Sequence, residues 1–296
     1  MSEMNKKTKK PRKVKKTLLI IGGVIVALLL AVIIAGPSII HAMGIHPDYD
    51  GPTYSAKGMR ALIVTTSHSV LSKPGETEGD ATGVASSEMT HPYYVFLDAG
   101  MEVDLASIEG GEIPIDPTTL NYFIISDEDR RFQKDDVAQA KAANSMKIDD
   151  VDFAEYDVVW LAGGWGAAYD FEQSDVLAEK VSDAYYSEKE TIIGSVCHGA
   201  LGLVHAEDMD GNLLIEGRTI SGVTNAQLDS LGIEFTPKHP ETEIKKAGAI
   251  YESNTAFNDF FATYVSVDYE ERFVTGQNQN SGLEVAHKIT EILSKR

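Results

Sequence analysis

The one cysteine of the chain, Cys197, stands in the short run GSVCHG between Gly194 and Gly199. The apolar residues before it predict a strand and those after it a helix, which would place Cys197 in a tight strand-to-helix turn like the nucleophile elbow of hydrolases. Unpaired N–H groups at a helix start favour a thiolate, and the imidazole of His198 can take or return a proton. We therefore interpret Cys197 as a nucleophile; a buried structural cysteine is the alternative.

A glycine-rich turn follows another apolar strand, at Gly163-Gly164-Trp165-Gly166. Glycines at the carboxyl end of a strand let backbone N–H groups approach a ligand, so this turn could form an oxyanion hole beside the cysteine. A plain tight turn is the alternative. The turn lacks the G-x-G-x-x-G order of a dinucleotide site and the chain has no P-loop, so nucleotide chemistry has no support.

A third run, Thr82–Tyr94 (TGVASSEMTHPYY), places Glu88 at the start of a predicted helix. Taken alone, Ser86 or Ser87 would cap that helix, and Glu88 would only complement its N-terminal dipole. The three runs are more informative in combination than separately. They are a Thr-Gly turn with a Glu five residues on, a Gly-Gly turn after a middle strand, and a Gly-x-x-Cys-His-Gly elbow.

Short apolar runs alternate with helical segments from Met59 onward, which is typical of an open α/β sheet with parallel strands. The predicted strands are Arg60–Thr65, Tyr156–Ala162, Thr191–Val196, Tyr264–Val267 and Arg272–Thr275. The predicted helices are Ser87–Ala99, Asp135–Ala143, Ser174–Ser187, Cys197–Ala206 and Ser281–Leu293. Asp-Gly and Glu-Gly pairs predict a hairpin-like insertion over Met209–Val223. Open sheets place their sites at the carboxyl ends of strands, where the cysteine and Gly-Gly turns stand.

The N-terminal region has the pattern of a membrane anchor. Residues 1–16 hold eight Lys or Arg against one Glu, and residues 17–36 carry no charge. Twenty helical residues span about 30 Å, the thickness of the hydrocarbon core, and basic flanks stay cytoplasmic. We predict a cytoplasmic tail over 1–16, a single transmembrane helix over 17–36, a stalk over 37–58 and an extracytoplasmic domain over 59–296 at the cell membrane. A cleaved signal peptide is the alternative.

Charge excludes one class of partner. The net charge is −19, and residues 17–296 carry 18 basic against 44 acidic side chains. A body that acidic repels phosphate backbones, so we expect no nucleic-acid binding. The eight histidines are scattered without the spacing of metal ligands, so we expect no metal site.

The combined pattern resembles the ThiJ/PfpI superfamily, within the class I glutamine amidotransferase-like fold. The heat-shock chaperone and glyoxalase III branch is the most similar, judging by the runs HPYYVF at 91–96 and VTGQNQNS at 274–281. The resemblance covers about residues 59–293. It implies a flavodoxin-like three-layer α/β sandwich with a mostly parallel sheet, and it makes a homodimer possible.

The resemblance also implies roles for individual residues. Cys197 would be the nucleophile, His198 its general base or acid, and Glu88 the carboxyl group that hydrogen-bonds the sulfur. The N–H groups of Gly164 and His198 would hold the substrate oxygen, with Gly163 beside them. Trp165 stands where family members often have His. The acid that orients the histidine in several members should fall near 222–229, where Asp229 is the candidate.

The activity implied by the resemblance is that of glyoxalase III, which converts methylglyoxal to lactate without glutathione, metal or other cofactor. Glycated protein is a related substrate. An amidase or peptidase of the same fold is an alternative, since His239-Pro240-Glu241 has the H-x-E form of glutamine amidotransferases, although a solvated His-Pro turn is the simpler interpretation. A stress chaperone or redox sensor built on Cys197 is the non-enzymatic alternative.

Overall fold

The computed structural model describes residues 12–233 and 235–296, which are organised around a seven-stranded sheet. The sheet has the strand order β10-β11-β7-β6-β1-β4-β5. The strands of the described residues are β1 Arg60–Thr65, β2 Val70–Ser72, β3 Gly79–Ala81, β4 Glu102–Ser107, β5 Met146–Lys147, β6 Val158–Leu161, β7 Ile192–Val196, β8 Thr219–Ile220, β9 Ile250–Tyr251, β10 Val265–Val267 and β11 Phe273–Gly276.

The sheet is parallel except at one edge, as the sequence predicts. Strand β1 pairs in parallel with β4 and β6, and β7 pairs in parallel with β6 and β11. Strand β10 is antiparallel to β11. The core order β4-β1-β6-β7-β11 is that of flavodoxin-like sheets, in which ligands bind at the carboxyl ends near the point where the strand order reverses.

Helices cover both faces of the sheet. Those of the described residues are α1 Arg12–Ala42, α2 Ser86–Asp98, α3 Asp127–Phe132, α4 Asp136–Ala143, α5 Ala167–Asp170, α6 Asp175–Tyr185, α7 Asn225–Leu231, α8 Pro240–Lys246 and α9 Gly282–Leu293. Short 3₁₀ helices cover Pro117–Leu120, Ile148–Asp150, Phe153–Glu155, Cys197–Leu203, Asp259–Phe261 and Gln279–Ser281.

Alternate residues of the buried strands feed two separate cores. In β1, Ala61 and Ile63 face the core that contains α2 and α9, whereas Leu62 and Val64 face the core that contains α6. Such alternation follows from the two-residue period of a strand, and both faces are apolar because both are covered. The predicted three-layer α/β sandwich is confirmed.

Several local predictions differ from the structure. Strand β4 was not predicted, because the acidic residues Glu102 and Asp104 break the apolar run. The Met209–Val223 segment is not a hairpin: residues 219–220 pair in parallel with β9, and the antiparallel contact nearby is a single bridge between Glu207 and Leu213. The helix predicted over 197–206 is a 3₁₀ helix that ends at Leu203.

The apolar N-terminal segment is helical and continues past the predicted span. Helix α1 runs through Pro37 to Ala42, and among the described residues Thr17–Ala42 is the one helix with the length and composition to cross a bilayer. Its most apolar window is wholly unburied by the rest of the protein. Residues 1–11 of the predicted basic tail lie outside the described residues. In the predicted stalk, Ile45 and His46 are buried against the domain.

Candidate active site

Cys197 occupies a strained turn at the carboxyl end of β7. Its φ is +55°, in the left-handed region that residues with a Cβ rarely adopt. The fully buried strand β7 fixes one side of the turn and the 3₁₀ helix Cys197–Leu203 fixes the other. Gly199 allows the turn to pack, since a Cβ there would clash with the Leu161 carbonyl oxygen. The predicted tight turn between a strand and a helix is present at Cys197.

Glu88 reaches the cysteine from the first turn of α2. The Cys197 thiol and the Gly163 N–H both face the Glu88 carboxyl group and favour its charged form, and Glu88 Oε2 is buried with no hydrogen-bond partner among the described residues. A Cβ on Gly163 would lie 2.5 Å from Glu88 Oε2 and 2.7 Å from the His198 nitrogen, so only glycine fits between them. The indole N–H of Trp160 donates to the Glu88 carbonyl at 2.9 Å and fixes this turn of the helix.

His198 also lies beside the sulfur of Cys197. Its Nδ1 is 3.5 Å from Cys197 Sγ, and the ring of Trp165 packs edge-on against the imidazole with centroids 5.2 Å apart. Burial, with a smaller contribution from the charge of His239, lowers the pKa of His198 to about 3. The ring is therefore neutral at physiological pH, and in the tautomer with Nδ1 unprotonated it can accept a hydrogen bond from the thiol.

Two backbone N–H groups lie near the sulfur. Those of His198 and Gly164 favour the thiolate of Cys197, against the larger effect of burial. Gly164 has φ +100°, and a Cβ there would clash with the Ala85 nitrogen, so the Gly-Gly turn is held against the start of α2. Donors fixed in this way also lie where an oxygen on a carbon bonded to the sulfur would form.

Burial sets the protonation of the two acidic groups. It raises the pKa of Glu88 to about 8, against the hydrogen bonds from Cys197 and Gly163 that favour the carboxylate. Burial also raises the pKa of Cys197, and the charge of Glu88 adds to this effect. The resting site at neutral pH thus holds a thiol and a protonated carboxyl group, rather than the preformed thiolate expected from the helix start.

Among the described residues no acid is hydrogen-bonded to His198. Asp229 is exposed on α7, and His198 Nε2 is buried with no hydrogen-bond partner among the described residues. His239 is half-buried, not solvated as predicted, and its Nε2 also lacks a partner within the described part of the chain. Ser86 does not cap α2; its hydroxyl donates to Asp129 at 2.6 Å.

A cavity of about 310 Å³ opens over the three residues Glu88, Cys197 and His198. Its exposed lining is mostly apolar. The apolar residues around it are Ile45, Ala85, Ile124, Trp165, Val223, Leu231, Ile233 and Phe260. Sequence reasoning missed most of this wall, because its members come from segments far apart in the chain and share no motif.

The run GQNQNS, residues 276–281, holds segments of the cavity wall together through side-chain amide hydrogen bonds. Asn280 accepts from the His46 N–H at 2.9 Å and donates to the Phe260 carbonyl at 2.7 Å. Asn278 donates to Gln227 Oε1 at 3.0 Å and to the Ala262 carbonyl at 2.9 Å. Side-chain amides can bridge loops in this way because they donate and accept at once.

Within the described residues, no group of three or more His, Cys, Asp or Glu is arranged to hold a metal.

The sequence of this chain is similar to a known protein family and to proteins of known activity. Residues 80–291 match the sequence profile of the DJ-1/PfpI family. Glyoxalase 3 of Candida albicans is 27% identical over 242 residues, which are 78% of this chain and 97% of that protein. The glutathione-independent glyoxalase HSP31 of Saccharomyces cerevisiae is 28% identical over 228 residues, 73% of this chain and 92% of that protein.

Solved structures show the same fold. The Rapid Encystment Protein 24 kDa of Francisella tularensis superposes with a TM-score of 0.71 and 33% identity, covering 79% of this chain and 99% of that one. Glyoxalase III of Candida albicans superposes with a TM-score of 0.69 and 25% identity, covering 80% of this chain and 97% of that one. In both cases the part of this chain left uncovered is about a fifth.

Proposed function

This chain is a member of the DJ-1/PfpI family, and on that premise we propose that it is a cysteine-dependent, glutathione-independent glyoxalase. The reaction would convert a 2-oxoaldehyde such as methylglyoxal, with one water, to the corresponding 2-hydroxy acid. One observation carries the proposal: Cys197, His198 and Glu88 meet at the base of a single cavity. The names of the curated relatives support it.

The first step is addition of the sulfur to the aldehyde carbon. Neutral His198 Nδ1, 3.5 Å from the sulfur, accepts the thiol proton as the carbon–sulfur bond forms. The N–H groups of Gly164 and His198 stabilise the negative oxygen, and return of the proton from His198 gives a neutral hemithioacetal. Addition of a neutral thiol in this way is compatible with the raised pKa of Cys197.

The second step moves hydrogen from the first carbon to the second. His198 removes the proton from the first carbon while the protonated Glu88 carboxyl donates to the neighbouring carbonyl oxygen, which gives an enediol. His198 then protonates the second carbon as Glu88 recovers the hydroxyl proton of the first. The product is a thioester of Cys197, and water hydrolyses it to release the 2-hydroxy acid and restore the thiol.

The N-terminal helix supports a membrane-bound enzyme. The helix is strongly apolar over Thr17–Ala42, and its most apolar window is not buried by the rest of the described chain, which in water would be strongly unfavourable. With the basic tail inside, the catalytic domain would be extracytoplasmic. A homodimer and glycated protein substrates remain predictions.

The alternative functions receive less support from the site. Glu241 of the H-x-E pair accepts from the Asn225 N–H at 2.7 Å and from Lys245 at 2.6 Å, and neither it nor His239 lines the cavity at Cys197. A redox sensor needs an exposed cysteine of low pKa, whereas Cys197 is buried and its pKa is raised.

The test is a time course of methylglyoxal and lactate with the full chain in lipid nanodiscs and no glutathione. We expect wild-type turnover that is lost in Cys197→Ala and Glu88→Gln and kept in the exposed control Glu102→Gln. Equal turnover in wild type and Cys197→Ala would refute the proposal. Release of ammonia from glutamine, in place of lactate, would establish the amidotransferase alternative.

A further inference from the structure

We propose that the preferred substrates are uncharged 2-oxoaldehydes with a hydrocarbon tail, larger than methylglyoxal. This inference rests on the proposed glyoxalase function and concerns the same cavity. Its basis is the fit between the cavity and the molecules that could fill it, in volume, in polarity and in charge.

Volume is the first argument. The cavity holds about 310 Å³, and at about 30 Å³ for one water it has room for roughly ten non-hydrogen atoms. Methylglyoxal, with three carbons and two oxygens, would fill about half. The remainder would hold water against apolar side chains, which is unfavourable, whereas a tail of several more carbons would displace that water.

Polarity gives the direction in which the tail would lie. The reacting groups of Glu88, Cys197 and His198 share one cavity with Ile45, Leu231, Ile233 and Phe260, which come from separate segments. Polar residues also line the cavity, namely Ser87, Thr118, Thr119, Gln227 and Gln279, but its exposed surface is mostly apolar. Trp165 is part of the same lining and packs edge-on against His198. A dicarbonyl head bonded to the sulfur would therefore direct its substituent along an apolar surface.

Charge excludes the acidic alternatives. Among the described residues that line the cavity there is no Lys or Arg, whereas the carboxyl group of Asp116 is present. A substrate ending in a carboxylate or phosphate would lose its hydration without gaining a cation, at a large cost in free energy. Glyoxylate-like and phosphorylated aldehydes are disfavoured for the same reason.

The wall is positioned by a defined contact, not by chance packing. Asn280 joins the backbone of His46, just after helix α1, to that of Phe260. The cavity wall is thus continuous with the end of the apolar helix. A compound that partitions into the bilayer would be concentrated beside this opening if α1 spans the membrane.

The experiment compares three substrates with the full chain in lipid nanodiscs: methylglyoxal, 2-oxohexanal, and the counterpart of 2-oxohexanal whose tail ends in a carboxylate. Each buried methylene group contributes about fourfold in binding, so we expect kcat/KM to be at least about tenfold higher for 2-oxohexanal than for methylglyoxal. The carboxylate compound should be at least about a hundredfold poorer than 2-oxohexanal.

Two matched variants distinguish an effect of the cavity wall on substrate preference from a general effect of the substitution on activity. Leu231→Gln places an amide in the cavity wall and should reduce the ratio of the 2-oxohexanal and methylglyoxal kcat/KM values about fivefold. Leu97→Gln changes a leucine of similar exposure, 37% against 39%, that lies outside the cavity and should leave the ratio unchanged.

The outcomes distinguish the two proposals. Turnover of methylglyoxal that equals or exceeds that of 2-oxohexanal would overturn the substrate inference and leave the glyoxalase function intact. Equal use of the carboxylate compound would also overturn it. If none of the three is consumed while the protein remains folded, both the glyoxalase function and this inference are wrong.

Discussion

The imidazole Nδ1 of His198 lies 3.5 Å from the sulfur of Cys197, although the two residues are adjacent in the chain. Neighbouring side chains in an extended strand point to opposite faces, so this approach requires a sharp turn between them. The left-handed backbone of Cys197 supplies that turn. Contact between the thiol and the imidazole is thus obtained from backbone strain at one residue.

That strain can be measured in variants that have already lost the nucleophile. Cys197→Ala and Cys197→Gly should both lower kcat/KM for 2-oxoaldehydes by about a thousandfold or more. A left-handed φ costs alanine about 1 kcal/mol more than glycine, so the glycine variant should be the more stable of the two. Denaturant unfolding provides the comparison. A less stable glycine variant would show that the turn is not strained.

The pKa of Glu88, raised by burial to about 8, predicts how activity depends on pH. Glu88 donates its proton in the proposed second step, so kcat/KM should fall as the pH rises through about 8. The folded pKa lies above the unfolded value of 4.5, so the stability that the neutral carboxyl provides is complete at pH 4 and declines towards pH 9. Glu88→Gln should therefore raise the unfolding temperature relative to wild type at pH 9 and much less at pH 4. The exposed Glu102→Gln is the control, and an equal effect at both pH values would contradict the assignment.

The buried histidines predict sensitivity to acid. His46 and His91 pack ring against ring with centroids 5.2 Å apart, and burial lowers the pKa of both below 6.5. Below pH 6.5 the unfolded chain protonates these two histidines and the folded protein does not, so their contribution to stability should decrease from pH 7.5 to pH 5, opposite in sign to the contribution of Glu88. Thermal unfolding at a series of pH values measures this. His91→Asn should reduce the slope, and an unchanged slope would assign the acid sensitivity elsewhere.

Gly163 should tolerate no side chain. In Gly163→Ala the added methyl group would displace either the Glu88 carboxyl or the backbone of the elbow, so we expect at least about a hundredfold loss of kcat/KM. Gly202→Ala is the matched control, because there the nearest neighbours of the methyl group are the ends of the Leu161, Leu177 and Phe171 side chains and not backbone. Its kcat/KM should stay within a few-fold of wild type. Comparable losses in both variants would indicate a general packing defect.

Asp229 offers a direct test of whether a third acid takes part. Since it is exposed on α7, Asp229→Asn should change kcat/KM by no more than about twofold. A residue that oriented His198 would cost much more when its charge is removed. A tenfold or larger loss, with unfolding unchanged, would mean that α7 moves to bring Asp229 to the histidine.

The sequence was most informative where one segment carries a whole structural unit. Strands β1, β6 and β7 were predicted because their apolar runs are continuous, and the elbow was predicted because strand, cysteine and glycine stand together. Glu88 was identified only through its combination with the other two runs. In each case the determining interactions are local.

The missed features depend on partners that are distant in the chain. Strand β4 contains Asp104, which becomes acceptable in the sheet because Arg60 and Lys141 neutralise it at 3.3 and 3.1 Å. The protonated state of Glu88 depends on its complete burial, and the cavity wall depends on loops near residues 45, 231 and 260 meeting. The hydrophobic periodicity of the sequence does not indicate which distant segments come into contact in the fold.

The contribution of Ile45 and His46 to the cavity wall changes where the enzymatic unit begins. A proteolytic cut before Gly44 would release a domain with its substrate chamber complete, whereas a cut a few residues later would release one with an open side. If helix α1 anchors the chain in a membrane as proposed, release from the membrane and loss of selectivity would be separable events, decided by the position of a single peptide bond. A version of the domain without the apolar helix should be designed to start at Gly44 instead of at the first strand.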